Sequence, residues 1–71
     1  MSNHHTYKKV EVVGSSKEGI DDAIRNAIKQ TARSVDLLEW FEVIETRGHI
    51  VGGEVDHFQV VLKLGFRIEG S

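Results

Sequence analysis

Two adjacent glycines, Gly52 and Gly53, separate two long runs rich in β-formers, Trp40 to Val51 and Glu54 to Glu69. Glycine accepts φ > 0 without steric penalty, so a two-residue turn of type I′ or II′ closes there and folds the runs onto each other as a hairpin. If Val51 faces Glu54, a regular ladder fixes every other partner, and the residue numbers of each opposed pair add to 105.

The second run alternates cleanly. Phe58, Val60, Leu62, Leu64, Phe66 and Ile68 share one face, and His57, Gln59, Val61, Lys63, Gly65 and Arg67 share the other. The apolar set needs a cover. By the pairing rule Phe41, Val43, Glu45 and Arg47 join it, while Leu38, Trp40, Glu42, Ile44 and Thr46 point away. Trp40 then sits opposite Gly65, where a glycine leaves room beside the indole for something flat. The outward face carries Leu38, Trp40, Ile44 and Val61, too apolar a set to lie bare in a monomer.

The cover comes from the first half of the chain. Thr6 to Val13 reads as a strand ended by Gly14, and Lys8 and Lys9 mark it as an edge strand. A helix is expected over about 16–35, started by a Ser15–Glu18 capping box or by Ser16 as N-cap. Its stripe is Ile20, Ala23, Ile24, Ala27, Ile28 and Val35, with Asp21 and Asp22 near the N-terminus and Arg25, Lys29 and Arg33 further on. The expected subunit is therefore α+β: strand, helix, strand, strand. A helix of ~20 residues is about 30 Å long, and a 15-residue strand spans roughly 50 Å. The sheet should overhang its own helix, with Phe41 and Val43 facing the core.

With 71 residues the chain forms one domain, 1–71, with a thin core. Small chains close the stability gap with disulfides, metals or self-association. There is no cysteine, and the histidines show no ligand spacing: His4 and His5 are terminal, and parity puts His49 and His57 on opposite faces. Self-association is the remaining device. A net charge of −2 gives no basic footprint for nucleic acid, and no apolar run approaches the ~18 residues of a membrane span. A cytoplasmic location is expected, with residues 1–5 and 70–71 frayed.

Trp40 offers a large π-face for a planar ligand, although the residues alone favour an ordinary interface tryptophan. Gln59 can both donate and accept at the edge of a flavin or pterin ring, or be a surface glutamine. The two lie six pairs apart, roughly 20 Å along the ladder, so a shared site takes them from different subunits unless the ladder is bulged. Arg67, opposite Leu38 and near Trp40, suits a phosphate. Arg47 faces the other way unless Gly48 marks a bulge that re-aims it. Either arginine is as readily an intersubunit ion-pair partner. Gly14 to Gly19 lacks the ending of a phosphate loop, and Glu39 and Glu42 beside Trp40 share no evident proton. No catalytic constellation stands out, and no enzymatic activity is expected.

In order and spacing, these segments resemble the dodecin family: Tyr7-Lys8-Lys9-Val10-Glu11-Val12-Val13-Gly14-Ser15-Ser16, Glu39-Trp40-Phe41-Glu42-Val43, Arg47-Gly48-His49-Ile50, His57-Phe58-Gln59-Val60 and Gly65-Phe66-Arg67-Ile68-Glu69. The resemblance implies an antiparallel sheet wrapped around one helix in a hollow homododecamer. It implies flavin stacked in pairs between symmetry-related Trp40 side chains, with Gln59 on the ring edge. FMN is the implied cofactor, with riboflavin or FAD as variants. Arg47 and Arg67 are the matching cations, Glu39 stands where the family has aspartate, and Lys8 joins the implied binding set. Coenzyme A on the outside, near Arg33, is a further implied ligand. The implied role is flavin storage and photoprotection. A structural oligomer, a coenzyme A carrier without flavin and a flavin redox enzyme are the competing readings.

Overall fold

A computed structural model describes residues 4–71. Four elements follow one another: β1 (Tyr7–Ser16), α1 (Ile20–Thr31), β2 (Leu38–Val51) and β3 (Glu54–Arg67). The sheet is antiparallel in the order β1-β3-β2, so the strand order and the β-α-β-β topology make β1 and β2 the two edges. The molecule is a long slab of 58 × 21 × 14 Å.

The hairpin closes at Gly52 and Gly53 with φ of 60° and 80°, both positive as a type I′ turn requires, and Val51 faces Glu54. The constant sum then fails. It becomes 106 from His49↔His57 to Glu45↔Val61, returns to 105 from Val43↔Leu62 to Trp40↔Gly65, and is 104 at Leu38↔Phe66. Three bulges cause this, with Asp56, Ile44 and Glu39 as the extra residues. Several facings expected from strict alternation are therefore corrected. Glu45 and Arg47 share the face of Val61 and Gln59, not that of the core, and Thr46 and Leu38 turn toward the core. Arg67 lies opposite Tyr7 rather than Leu38.

β1 runs three residues past Val13. Gly14 does not end it: a Cβ there would collide with the Ala23 carbonyl oxygen and the Ala27 methyl, so glycine at 14 lets α1 settle onto the strand. Neither expected serine cap forms. The N-cap is Gly19 without a side-chain hydrogen bond. Ser16 instead anchors the connection, accepting from the Glu18 N–H at 2.8 Å and donating to Asp22 Oδ2 at 2.6 Å. The helix is 12 residues long, because 17–19 are spent on this crossing and the chain after Thr31 tightens into turns (Arg33 N–H to Gln30 O 3.2 Å, Ser34 N–H to Thr31 O 3.0 Å). Val35 and Arg33 fall outside it. β3 ends at Arg67, short of Glu69.

The core is Ala23, Ala27, Val60, Leu62 and Leu64, flanked by Val10, Val12, Ile20, Ile24, Ile28 and Leu38. The helix packs on β1 and β3, and β2 lies beyond it. Phe41 and Val43 share the core face yet remain 47% and 43% exposed. Near the ends, expected to fray, Thr6 N–H donates to Ser71 Oγ at 3.1 Å and His5 Nδ1 lies 2.9 Å from the Ser71 carbonyl; residues 1–3 lie outside the described part.

Candidate functional site

The face of the sheet away from α1 carries two groups of side chains. The first surrounds Trp40. Its indole covers Gly65, where an added Cβ would strike the ring. The space left by that glycine is thus filled by the indole itself. The indole is 39% exposed, so the ring has one face seated on backbone and presents the rest to the outside.

Tyr7 arrives from β1 across the central strand. Its ring meets the indole edge-on, with centroids 6.1 Å apart and planes at 62°, and its hydroxyl donates to Glu39 Oε1 at 3.1 Å. Glu39 reaches this face because it is a bulge residue. Burial is the main cause that raises the Tyr7 phenol above its ordinary value; the Glu39 hydrogen bond and charge add to it, and Arg67 opposes. Lys9 closes the group through an ion pair with Glu42 at 2.8 Å, which holds the Glu42 carboxyl below its usual range. Arg67, opposite Tyr7, has a buried Nε without a hydrogen-bond partner among the described residues.

The second group surrounds Gln59. Arg47 Nη1 donates to Gln59 Oε1 at 3.3 Å, and Arg47 Nη2 lies 3.0 Å from Glu45 Oε2. With its oxygen engaged, Gln59 offers its amide N–H groups. His49 and His57 do not lie on opposite faces. Their rings stack at 4.3 Å and 17°, and His57 Nδ1 meets Asp56 Oδ2 at 2.6 Å, which lowers the Asp56 carboxyl. The bulge at Asp56 puts both histidines in phase.

Of the residues singled out by sequence, the structure brings Trp40, Glu39 and Arg67 to one end of this face and Gln59 and Arg47 to the other. Trp40 and Gln59 share the face but stay six β3 residues apart, roughly 20 Å. Lys8 pairs with Phe66 and so lies on the opposite face from Lys9 and Trp40. Arg33 lies in the turn after α1. The residue missed by sequence reasoning is Tyr7. The hairpin arithmetic gives partners only within β2 and β3, and Tyr7 meets Trp40 because β3, not β2, is the central strand.

The cavity of ≈ 140 Å³ that Trp40 helps to line opens on the helix side of the sheet, among Ile28, Leu38, Phe41 and Leu64, and not over the outward face of the indole. Ligand pockets for ring systems begin at about 300 Å³. One chain therefore offers a platform rather than a pocket, and whatever stacks there takes its second wall from elsewhere.

A family model described as Dodecin matches residues 6–69. A dodecin of Thermus thermophilus is 49% identical over 63 residues, 89% of this chain and 91% of that protein. Among solved structures, a dodecin from Streptomyces coelicolor is 54% identical with a TM-score of 0.90, covering 100% of both chains. A dodecin from Streptomyces davaonensis is 47% identical with a TM-score of 0.89, covering 96% of this chain and 98% of that one.

Proposed function

The chain belongs to the dodecin family of small self-associating binding and storage proteins, and from that premise we propose that it binds flavin, FMN first, and stores it within a homododecamer. The observation that carries this reading is the indole of Trp40 seated on Gly65 with its other side open. An immobilised flat ring with an uncovered face is a stacking surface.

The donor set fits a flavin. When bound, that group supplies a tricyclic plane whose edge carries both N–H and C=O groups and whose tail carries hydroxyls and a phosphate. Trp40 meets the plane. Gln59, its Oε1 held by Arg47, turns its amide N–H groups to a ring carbonyl. The unpaired Nε of Arg67 and the Arg47 guanidinium suit phosphate oxygens, and Glu39 suits a ribityl hydroxyl. Since Trp40 and Gln59 are roughly 20 Å apart, one site draws them from different subunits. The second wall is then the Trp40 of a symmetry-related subunit. A ring covered on both faces has none free for hydride exchange, so sequestration, not turnover, is the role.

Titration with FMN, followed by flavin fluorescence on particles sized by light scattering, tests this. Saturating quenching is expected on an assembly of about a dozen chains. Trp40→Ala is expected to keep the assembly and weaken binding between about 5- and 150-fold, the worth of one stacked face at roughly 1–3 kcal/mol. Dissociation of the Trp40→Ala particle would identify Trp40 as interface core. An assembled wild-type particle that leaves flavin fluorescence unchanged would end the flavin reading.

A further inference from the structure

The chain contains one tryptophan and one tyrosine, and the register brings these two together, with Glu39 hydrogen-bonded to the phenol. From this geometry we propose that Trp40, Tyr7 and Glu39 form a proton-coupled electron relay that refills Trp40 whenever it is oxidised by one electron.

The chemistry rests on the phenol. A neutral phenol is a weak acid, but its one-electron-oxidised form is a strong one. Tyrosine therefore gives up an electron readily only if its proton has somewhere to go in the same step. Here the acceptor is already in place, since the Tyr7 hydroxyl donates to Glu39 Oε1 at 3.1 Å. The electron has a short path, because the phenol ring meets the edge of the indole at 6.1 Å between centroids. Three strands contribute to this arrangement: Tyr7 comes from β1, Glu39 and Trp40 from the bulged start of β2, and Gly65 of β3 seats the indole between them.

The step balances. One electron passes from Tyr7 to the indole radical cation and restores neutral Trp40. The phenolic O–H breaks, the proton moves along the existing hydrogen bond to the Glu39 carboxylate, and a neutral phenoxyl radical and a neutral carboxylic acid remain. The oxidant is a one-electron acceptor stacked on the open face of Trp40; under the function proposed above, that is light-excited flavin. The relay rests on that reading for its natural oxidant alone. The benefit is repair. An indole left oxidised reacts with oxygen and ceases to be a flat platform, and refilling it preserves the surface. Burial and the Glu39 contact also raise the Tyr7 phenol above its ordinary value.

Pulse radiolysis of the ligand-free protein tests this without flavin. Azide radicals oxidise the single tryptophan, and the indolyl and tyrosyl absorption bands are followed in time. Decay of the indolyl band with a matching rise of the tyrosyl band is expected, first order and independent of protein concentration. In Tyr7→Phe the indolyl radical should persist. Glu39→Gln keeps a hydrogen-bond acceptor but loses the base, and should slow the transfer by about 100-fold or more, the lower end of what a positioned proton acceptor contributes. The transfer should also slow in heavy water in the wild type and not in Glu39→Gln. Circular dichroism and light scattering confirm that each variant keeps its fold and size. Equal rates in wild type and Glu39→Gln, or a tyrosyl rise that scales with protein concentration, would overturn the relay. Failure of FMN to bind would leave these outcomes unaffected.

Discussion

Gly65 decides what Trp40 can be. A side chain at 65 would occupy the volume of the indole, so the ring lies flat because nothing stands beneath it. Gly65→Ala should tilt the indole off the sheet while the fold persists. FMN affinity is expected to drop about tenfold or more, since stacking contributes roughly 1–3 kcal/mol per face, and a shift in Trp40 emission in the ligand-free protein would report the tilt directly. Tyr7 makes a second prediction at this scale. Its phenol titrates above the ordinary 10.0 through burial first and Glu39 second. In an ultraviolet titration Glu39→Gln should lower that midpoint without restoring it fully. The sign for stability follows. A phenol whose pKa is raised on folding contributes in full below pH 10.0 and loses that contribution as pH rises through the folded value. The Lys9–Glu42 pair acts in the opposite sense: its contribution is present above the ordinary carboxyl pKa of 4.5 and fades as pH falls through the lowered folded value. Both groups are exposed, so these effects are small.

At the scale of elements, side-chain alternation and Gly52-Gly53 made the hairpin readable from sequence, and counting from the turn reaches Trp40↔Gly65 because the Asp56 and Ile44 bulges cancel before it. What could not be read was the phase between those two points. Neither Ile44 nor Asp56 has the glycine signature of a bulge, and Gly48, which has it, is an ordinary paired residue opposite Phe58. Hence strict alternation gives Trp40, Gln59 and His57 their true face, but not Arg47, Glu45 or His49. Gly14 misled in a related way. It reads as a strand end, yet its role is close approach, with Ala23 and Ala27 against it. That role gives a prediction. Gly14→Ala should push α1 away from β1 and destabilise the subunit by about 1–3 kcal/mol, the usual cost of overpacking, seen as a lower denaturant midpoint with unchanged secondary structure.

At the scale of the whole molecule, α1 covers β1 and β3 and leaves β2 beyond Leu38 exposed on both sides. Phe41 and Val43 on one face, and Trp40 and Ile44 on the other, are 39–49% exposed, and the backbone of β2 on its outer edge has no partner strand among the described residues. Edges of this kind are templates for association, in keeping with a self-associating family. Val43→Lys places a charge on the uncovered core face, and light scattering should show smaller particles while circular dichroism keeps the subunit's signature. An intact particle would mean that Val43 stays open to water in the assembly.

The bulges have a consequence that concerns length rather than contact. A strand is a text read two letters at a time, one for each side of the sheet. Asp56 and Ile44 are one-letter insertions on opposite lines of that text: the first throws the reading frame out and the second restores it. Removing either would leave every remaining letter on its present side. Removing a paired residue between them, such as Thr46, would turn over all that lies on one side of the cut. Changes in length are therefore tolerated at those two positions and nowhere else between them, and Trp40 and Arg47, an odd number of residues apart, share a side because Ile44 is inserted between them.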